Sequence, residues 1–266
     1  MSKLQNKVAI ITGSSLGIGR TLAFEMAKQG AKIVLNARNP ERLAKVQKTM
    51  QNAGFESIAI AGDVSKMEDC QKMIDAAVES FGKVDILINN AGIATEGTVE
   101  ELDPDVFRKV MNVNYLGSVY PTKAALPLLR KTKGSIIFTG SLAGMRGLPN
   151  FSVYSSSKMA LTALAESLKI ELDGSGVHVG IAYVGFTQND PEKTIYDKDG
   201  KIIAQPKRDL IKAEPPENVA LRIIKMVENK TFKQYFTPLG KLNAFMNRFF
   251  PFIVEGVLKR NYKSKP

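Results

Sequence analysis

The sequence alternates short apolar runs with longer segments in which apolar residues recur at helical spacing. The apolar runs predict buried strands at 7–12, 32–36, 57–61, 84–88, 135–139 and 177–184. The segments between them predict helices at 18–29, 41–53, 69–81, 104–129 and 154–172. Strands that alternate with helices of this length indicate right-handed βαβ units. We therefore predict an α/β fold, with a Rossmann-type, doubly wound parallel sheet and helices on both faces.

The pattern changes after the sixth predicted strand. Residues 186–214 are rich in charge and carry few apolar residues, and a loop of this length inside a compact domain is usually functional. A helix is predicted at 215–229, where two prolines favour its start, and a last strand at 232–237. No repeat and no low-complexity linker interrupts the chain, so we predict one domain over 1–266.

Composition narrows the class of protein. Apolar residues form 44% of the 266-residue chain and charged residues 24%, as in ordinary soluble proteins. The single cysteine, Cys70, excludes a disulfide framework and fits a reducing compartment. The single histidine, His178, lies in an alternating run that favours a strand, so no metal site is expected. The N-terminal apolar run is too short for a signal peptide or a membrane span, and we expect a cytoplasmic protein.

The junction between the first strand and the first helix is rich in glycine. Gly13, Gly17 and Gly19 follow the strand with the spacing GxxxGxG, which differs from the more common GxGxxG. Glycines at this point let the chain turn sharply and let a pyrophosphate approach backbone N–H groups at the positive end of a helix. The junction predicts a dinucleotide site, and a glycine-rich turn without a ligand is the alternative.

The end of the second strand bears on the choice of cofactor. An acidic residue there would accept hydrogen bonds from the adenosine ribose of NAD, whereas this chain has Ala37 followed by Arg38. A guanidinium suits a phosphate, so Arg38 favours NADP(H), and the hydroxyl of Ser15 is a second candidate contact for that phosphate. The alternative is an arginine that is simply solvated in a loop.

Tyr154 and Lys158 are the candidate chemical pair. If the segment that contains them is helical, the two side chains lie one turn apart on the same face. An ammonium beside a phenol favours the phenolate and lowers the tyrosine pKa, which lets the tyrosine exchange a proton near neutral pH. The spacing alone is common, because most such pairs are exposed neighbours on a helix.

With these residues in place, the chain resembles the short-chain dehydrogenases/reductases from about residue 7 to residue 187. The resemblance rests on several motifs in the family's order and spacing: TGSSLGIG at 12–19, Asp63-Val64, NNAG at 89–92, Asn114, Ser141, and Tyr154 with Lys158. It implies a Rossmann-type oxidoreductase that transfers hydride between a nicotinamide cofactor and a carbonyl or alcohol.

The resemblance implies a catalytic tetrad of Asn114, Ser141, Tyr154 and Lys158. In this interpretation Tyr154 gives a proton to the substrate oxygen, and Ser141 holds that oxygen. Lys158 binds the nicotinamide ribose and depresses the pKa of Tyr154, while Asn114 anchors a water that resupplies protons. Each role suits the residue type, because charge builds on the oxygen in the transition state and preset donors stabilise it.

The resemblance also implies a set of cofactor contacts. They fall on the glycine loop, the end of the second strand, the loops after the third to sixth strands, and the catalytic helix: Gly13, Ser15, Leu16, Gly17, Ile18, Gly19, Arg38, Asp63, Val64, Asn90, Ala91, Gly92, Tyr154, Lys158, Gly185 and Thr187. The sequence departs from the family after the sixth strand, where Val184 precedes Gly185 instead of the usual proline, and Asn189 stands where a threonine often touches the phosphates.

The C-terminal segment is basic and amphipathic. The net charge of the chain is +11. From residue 233 onward there are seven Lys and Arg residues and one Glu, which gives this segment a net charge of +6. Apolar residues recur at helical spacing over about 238–266, with Pro251 breaking the run. Three interpretations remain open: packing on the chain's own domain or a partner, contact with a membrane surface, and a wall for an apolar substrate. Nucleic acid is not expected, because the aromatics do not line a polar groove.

These features predict an NADP-dependent oxidoreductase that interconverts a carbonyl and an alcohol, with residues 186–214 as a substrate lid. The apolar tail favours a steroid-, retinoid-, sphingoid- or fatty-chain-like substrate over a 3-oxoacyl thioester. A non-catalytic NADP-sensing or scaffold protein is the alternative from another class. The family resemblance implies a homodimer or homotetramer formed through the helices near 104–129 and 154–172.

Overall fold

A computed structural model describes residues 2–205 and 213–263 of the chain. Its strands are β1 (Val8–Thr12), β2 (Lys32–Ala37), β3 (Ser57–Ala61), β4 (Ile86–Asn89), β5 (Ser135–Ser141), β6 (His178–Val184), β7 (Thr194–Tyr196), β8 (Ile202–Ala204) and β9 (Lys233–Tyr235). Its α-helices are α1 (Gly17–Lys28), α2 (Pro40–Asn52), α3 (Met67–Phe81), α4 (Pro104–Met111), α5 (Gly117–Thr132), α6 (Ser152–Glu171), α7 (Pro216–Glu228), α8 (Pro238–Phe249) and α9 (Pro251–Lys263).

Seven strands form one parallel sheet in the order β3-β2-β1-β4-β5-β6-β9. β1 pairs with both β2 and β4, so the strand order reverses between β1 and β4. In open sheets of this kind a crevice forms at the carboxyl ends of the strands where the order reverses. The predicted α/β fold class is confirmed, and this crevice becomes the first place to look for a ligand.

Helices cover both faces of the sheet, which explains why β1 is buried along its whole length. Side chains alternate between faces along a strand. Ala9 and Ile11 therefore pack into one core with residues of α1 and α7. Val8 and Ile10 pack into the other core with residues of α3, α5 and α6. The continuous apolar runs that predicted the strands thus reflect burial on both sides.

The long helix predicted at 104–129 is wrong in one respect, because it is interrupted. α4 ends at Met111, a π-helical turn occupies Asn112–Leu116, and α5 then continues to Thr132. The periodicity does not reveal the interruption, since Val113 and Tyr115 continue the apolar pattern through the turn. Such π turns are frequent at functional sites.

The segment predicted as a lid contains local structure of its own. β7 and β8 pair as an antiparallel hairpin, and Ile195 is buried while Ile202 is exposed. The part of the predicted lid at 206–212 lies outside the described residues. The helix predicted at 215–229 is α7, and the last predicted strand is β9 at the edge of the sheet.

α8 presents its apolar side outward. Gly240 of this helix is buried, and Ala244 and Asn247 line a cavity against the domain. Leu239 and Phe249, on the opposite side, remain 73% and 56% exposed. Among the described residues, the domain therefore leaves the apolar face of α8 exposed, and a partner, a membrane surface and an apolar substrate remain open as its contact. No helix in the described ranges combines the length and the apolar character that crossing a membrane requires.

Candidate active site

The glycine loop between β1 and α1 is tightly packed. Gly13 has a φ of +65°, which favours glycine. A Cβ added at Gly19 would lie 2.3 Å from the carbonyl oxygen of Gly13, so only glycine fits there. Leu16 at the N-cap provides no side-chain cap, and the first turn of α1 holds no acidic residue. The helix therefore offers N–H groups and a positive end to an anionic ligand.

Thr12 joins this loop to the loop after β4. Its Oγ1 accepts hydrogen bonds from the backbone N–H groups of Asn90 (2.9 Å) and Ala91 (3.0 Å). The side-chain Nδ2 of Asn90 donates in return to the carbonyl of Thr12, at 2.9 Å. The two predicted cofactor loops are therefore adjacent across the reversal in strand order. Sequence reasoning did not single out Thr12, because a threonine at a strand end carries no specific signal.

Arg38, the residue predicted to contact a phosphate, follows the end of β2 and is exposed in the loop before α2. Asn39 caps α2 by accepting the N–H of Arg42 at 2.8 Å, which places a second guanidinium in the first turn of that helix. Ser15, the other predicted phosphate contact, is buried in the glycine loop.

Asp63 and Val64 follow β3 at the carboxyl edge of the sheet, the edge at which β1 and β2 also end. The carboxylate of Asp63 accepts hydrogen bonds from the backbone and hydroxyl of Ser65, at 2.9 and 2.8 Å. Val64 is buried, and a Cβ added at Gly117 would lie 2.6 Å from its Cγ2. The pair is thus fixed by its own turn and by the start of α5.

Lys158 is a buried cation on α6. It lies one turn after Tyr154, its side chain is nearly inaccessible, and its Nζ is 5.9 Å from the centre of the Tyr154 ring. The Nζ donates to the carbonyl of Thr139 at 2.9 Å. Burial, together with the charge of Lys193, lowers the pKa of Lys158 from 10.5 to about 8. The bland interpretation of an exposed helical pair is therefore excluded for this lysine.

Asn114 lies at the centre of the π turn and is fully buried. Its Oδ1 accepts the N–H of Ile93 (2.8 Å), and its Nδ2 donates to the carbonyl of Ile93 (3.0 Å) and to Ser157 Oγ (2.9 Å). A Cβ added at Gly92 would lie 3.3 Å from Asn114 Oδ1 and 3.4 Å from Lys158 Nζ. The structure thus brings Asn114, Gly92 and Lys158 together from three separate segments.

Ser141 ends β5 and leads into a short 3₁₀ turn. Its Oγ accepts the N–H of Ala143 at 3.2 Å. Gly144 of that turn packs against α6, since an added Cβ would lie 2.8 Å from the carbonyl oxygen of Lys158. The serine is therefore held by the turn that rests on the helix of Tyr154 and Lys158. A hydroxyl oxygen that accepts this N–H can still donate its own proton to a ligand.

The loop after β6 brings in a residue that the sequence did not identify. Thr187 Oγ1 lies 3.5 Å from the carbonyl of Gly185, close to the strand end as predicted. Asn189 is the position at which the family resemblance predicts a contact with the phosphates. The carboxylate of the next residue, Asp190, accepts hydrogen bonds from the N–H of Gly17 (3.0 Å) and from Arg20 (2.9 Å). Nothing local to the sequence marks this contact.

The crevice fits a nicotinamide dinucleotide. Its glycine loop admits close backbone approach, and the carboxylate of Asp190 already acts as an anionic stand-in at the start of α1. Within residues 2–205 and 213–263 no group of three or more His, Cys, Asp or Glu side chains is suited to a metal ion. Cys70 is buried, and burial, with a smaller contribution from Asp69, raises its thiol pKa to about 12, so it is not a nucleophile.

Comparisons with known proteins agree with this arrangement. A model of the short chain dehydrogenase family matches residues 7–200. An 11-beta-hydroxysteroid dehydrogenase of Pinus massoniana is 37% identical over 216 residues, which cover 80% of this chain and 59% of that protein. A 3-dehydrosphinganine reductase of Danio rerio is 35% identical over 253 residues, which cover 90% of this chain and 73% of that protein. The chain spans 59% to 63% of the length of four curated relatives that it matches.

A solved structure has the same fold. The crystal structure of a short chain dehydrogenase/reductase from Burkholderia phymatum in complex with NAD has a TM-score of 0.81 to this chain, at 26% identity. The superposition covers 93% of this chain and 95% of that one.

Proposed function

The chain belongs to the short-chain dehydrogenase/reductase family, and we propose that it is an NADP-dependent oxidoreductase that interconverts a carbonyl and an alcohol on a hydrophobic substrate. We propose that residues 1–266 act as one catalytic unit. A bound nicotinamide supplies or accepts the hydride, and the protein supplies orientation and proton transfer. The observation that carries the proposal is the buried ammonium of Lys158 one helical turn from Tyr154.

Tyr154 acts as the general acid in the direction of reduction. Its phenol gives a proton to the substrate oxygen as negative charge develops there, and takes the proton back in oxidation. The hydroxyl of Ser141 donates to the same oxygen and stabilises that charge. The ammonium of Lys158, at 5.9 Å from the ring centre, favours the phenolate and so lowers the barrier to proton loss.

Lys158 and Asn114 support the proton transfer. Because the pKa of Lys158 is lowered to about 8 by burial, its ammonium loses and regains a proton near physiological pH. Both hydrogens of the Asn114 amide are engaged, by Ile93 and Ser157, which fixes the side chain. We propose that this fixed amide anchors a water that returns protons to Lys158, and that Lys158 also binds the nicotinamide ribose.

Tyr154→Phe tests the mechanism, because it keeps the ring and removes the proton. The variant is expected to bind NADPH as the native protein does and to lose carbonyl reduction by roughly 100-fold or more. Binding is followed by the fluorescence of NADPH and turnover by its absorbance. Equal turnover by the native protein and the variant would refute the mechanism.

The preference for NADP rests on Arg38. Its exposed guanidinium follows β2, where Ala37 offers no carboxylate to bind a ribose hydroxyl or to repel a 2′-phosphate. Arg38→Asp is expected to shift the ratio of kcat/KM for NADPH over NADH toward NADH, since a phosphate partner is lost and a repulsive charge is added. An unchanged ratio would show that Arg38 does not contact the phosphate.

The substrate proposal is a hydrophobic carbonyl compound of steroid-, retinoid-, sphingoid- or fatty-chain-like type. The names of the relatives, an 11-beta-hydroxysteroid dehydrogenase and a 3-dehydrosphinganine reductase, support it. A 3-oxoacyl thioester is the runner-up. Purified protein with NADPH is tested against a carbonyl panel; activity confined to small polar ketones would refute the hydrophobic class.

We propose a cytoplasmic protein that binds peripherally to an anionic membrane surface through α8 and α9. The exposed aromatics of these helices, with Phe250 between them, form a contiguous cluster. The ring centre of Phe245 is 4.9 Å from that of Phe249 and 6.2 Å from that of Phe250, which is 6.5 Å from that of Phe252. The same helices carry exposed Lys and Arg side chains, which suit acidic lipid head groups.

The membrane proposal predicts sedimentation with vesicles. Native protein is expected to sediment with phosphatidylcholine vesicles that contain phosphatidylserine, and much less with phosphatidylcholine alone. Phe249→Ser combined with Phe252→Ser should abolish this binding. Val99→Ser, which removes an exposed apolar residue outside α5, α6, α8 and α9, is the matched control. Equal sedimentation of all three proteins would contradict the proposal.

We also propose a homodimer or homotetramer formed through α5 and α6. An open groove of about 390 Å³ runs between these helices, lined mainly by the apolar Val119, Leu126, Leu164 and Leu168. Sedimentation velocity measures the assembly, and Leu164→Glu is expected to shift it toward the monomer.

A non-catalytic sensing protein is the other candidate function. It would bind NADPH without turning over any member of the carbonyl panel.

A further inference from the structure

We propose that Asp190 and Glu192 are internal competitors for the phosphates of the dinucleotide. In this proposal, which rests on the proposed function, the two carboxylates hold residues 187–196 across the cofactor crevice. The phosphates take the places of both carboxylates when the cofactor binds.

Asp190 carries the inner contact. Its Oδ2 accepts hydrogen bonds from the backbone N–H of Gly17 at 3.0 Å and from Arg20 Nη2 at 2.9 Å. Its side chain is 5% exposed, although it lies in a loop 173 residues away along the chain. The first turn of α1 has no acidic residue and its N-cap has no side-chain acceptor, so Asp190 supplies the negative charge that this helix end lacks.

Glu192 carries the outer contact. Its Oε2 lies 3.0 Å from Nε of Arg42, in the first turn of α2. The side chain of Glu192 is 61% exposed, against 5% for Asp190, so solvent screens the outer pair more strongly. Arg42 comes four residues after Arg38, on the side of the crevice where a 2′-phosphate would lie. The two carboxylates thus reach the first turns of two consecutive helices.

The segment is fixed again beyond the two carboxylates. The N–H of Tyr196 donates to the carbonyl of Ala94 at 3.0 Å, and β7 pairs with β8. Lys193, between these points, lies close enough to Lys158 to affect its titration. Residues 190–196 therefore pass from the phosphate end of the crevice to the catalytic end.

Competition follows from the donors that are shared. The N–H of Gly17 points at the position where this fold binds a pyrophosphate, and it cannot serve a carboxylate and a phosphate at once. Arg20 and Arg42 are likewise suited to phosphate oxygens. Cofactor binding therefore has to break two charge-assisted contacts, which weakens the observed affinity and moves the segment that borders the catalytic site.

The first test removes the inner carboxylate. Asp190→Ala, and to a smaller extent Asp190→Asn, should tighten the Kd of NADPH and of NADH equally, by about tenfold, the size expected for a charge-assisted hydrogen bond that no longer has to be broken. The melting temperature of the cofactor-free variant should fall, because the helix end loses its acceptor. Kd is measured by titration of cofactor fluorescence, and the melting temperature by circular dichroism without cofactor.

The second test separates the two contacts. Glu192→Gln should tighten NADPH by about twofold, as expected for an exposed pair, and leave NADH nearly unchanged. Asp199→Asn is the matched control, since it removes an exposed negative charge from the turn between β7 and β8. Among the described ion pairs, Asp199 is paired only with Lys198, at 2.8 Å. This substitution should change neither Kd.

The outcomes are distinguishable. A native protein that binds neither NADPH nor NADH would refute the proposed function and the competition with it. A native protein that binds NADPH, together with an Asp190→Ala variant that binds it equally or more weakly, would refute the competition alone. If Asp199→Asn and Asp190→Ala changed the Kd of NADPH equally, the affinity would depend only on the net charge of the protein. That result would also refute the competition between Asp190 and the phosphates.

Discussion

Lys158 is expected to destabilise the folded protein at neutral pH. Its side chain is 5% exposed, and burial lowers its pKa from 10.5 to about 8. At 1.36 kcal/mol for each pKa unit, burying the charge costs the folded state about 3 kcal/mol at pH 7. Lys158→Met removes this cost but leaves the carbonyl of Thr139 without the donor at 2.9 Å, which costs roughly 1–3 kcal/mol. The variant should therefore be more stable at pH 7 by about 1 kcal/mol, while losing turnover.

The pH dependence gives the sharper result. Between pH 8 and pH 10.5 the unfolded lysine still holds its proton while the folded one has lost it, so the native protein gains stability as pH rises. By pH 9.5 this gain is about 2 kcal/mol, and the variant should then be the less stable protein by about 1 kcal/mol. Other titrating groups largely cancel in the difference between the two proteins.

Urea unfolding of the cofactor-free proteins, followed by circular dichroism at pH 7 and pH 9.5, measures the difference. Lys45→Met, at an exposed position of α2, is the control and should show no reversal of sign. If Lys158→Met is less stable than the native protein at pH 7 by an amount that stays constant to pH 9.5, the buried lysine is not a charged group held at a cost.

Two further substitutions test the fold around the site. Gly19→Ala should abolish NADPH binding and lower the melting temperature, because the added Cβ would lie 2.3 Å from the carbonyl oxygen of Gly13. Gly256→Ala is the control, since its added Cβ would have no atom within 4 Å, and it should change neither NADPH binding nor the melting temperature. Asp85→Asn should destabilise the protein at pH 7 by about 1–3 kcal/mol. Burial opposes the charge of Asp85, but the Val8 amide and two lysines hold the carboxyl pKa below 3.8. The stabilisation by the Asp85 carboxylate is lost as the pH falls below about 4 and this group becomes protonated. The difference in unfolding free energy between the native protein and Asp85→Asn, measured with urea, should therefore shrink below about pH 4. A difference that stays constant would contradict this account of Asp85.

The strands of the parallel sheet could be located from the local pattern, because a strand covered on both faces is apolar along most of its length. β1 is buried at every position, and its continuous apolar run already indicated this. The glycine loop could also be identified from the sequence. Its glycines are required, because Gly13 has a left-handed φ and the carbonyl oxygen of Gly13 leaves no room for a side chain at Gly19. Helical spacing placed Tyr154 and Lys158 on one face.

Contacts between distant segments could not be predicted in this way. The spacing of Tyr154 and Lys158 is the same whether the lysine is solvated or buried, and only packing of α6 on β5 and the loop after β4 made it a buried cation. The apolar pattern also gave no indication of the π turn, which places the side chain of Asn114 in hydrogen-bond contact with the backbone of Ile93.

By itself, the sequence determined the glycine loop and the order of strands and helices along the chain, because these depend on backbone conformation and burial within a few residues. The chemical pair was identified by its place among several motifs of the family and not by its spacing. Tertiary structure alone decided that Asp190 reaches Gly17 and that α8 turns its apolar face outward. Both depend on where segments separated by many residues come to lie, and local periodicity carries no information about that.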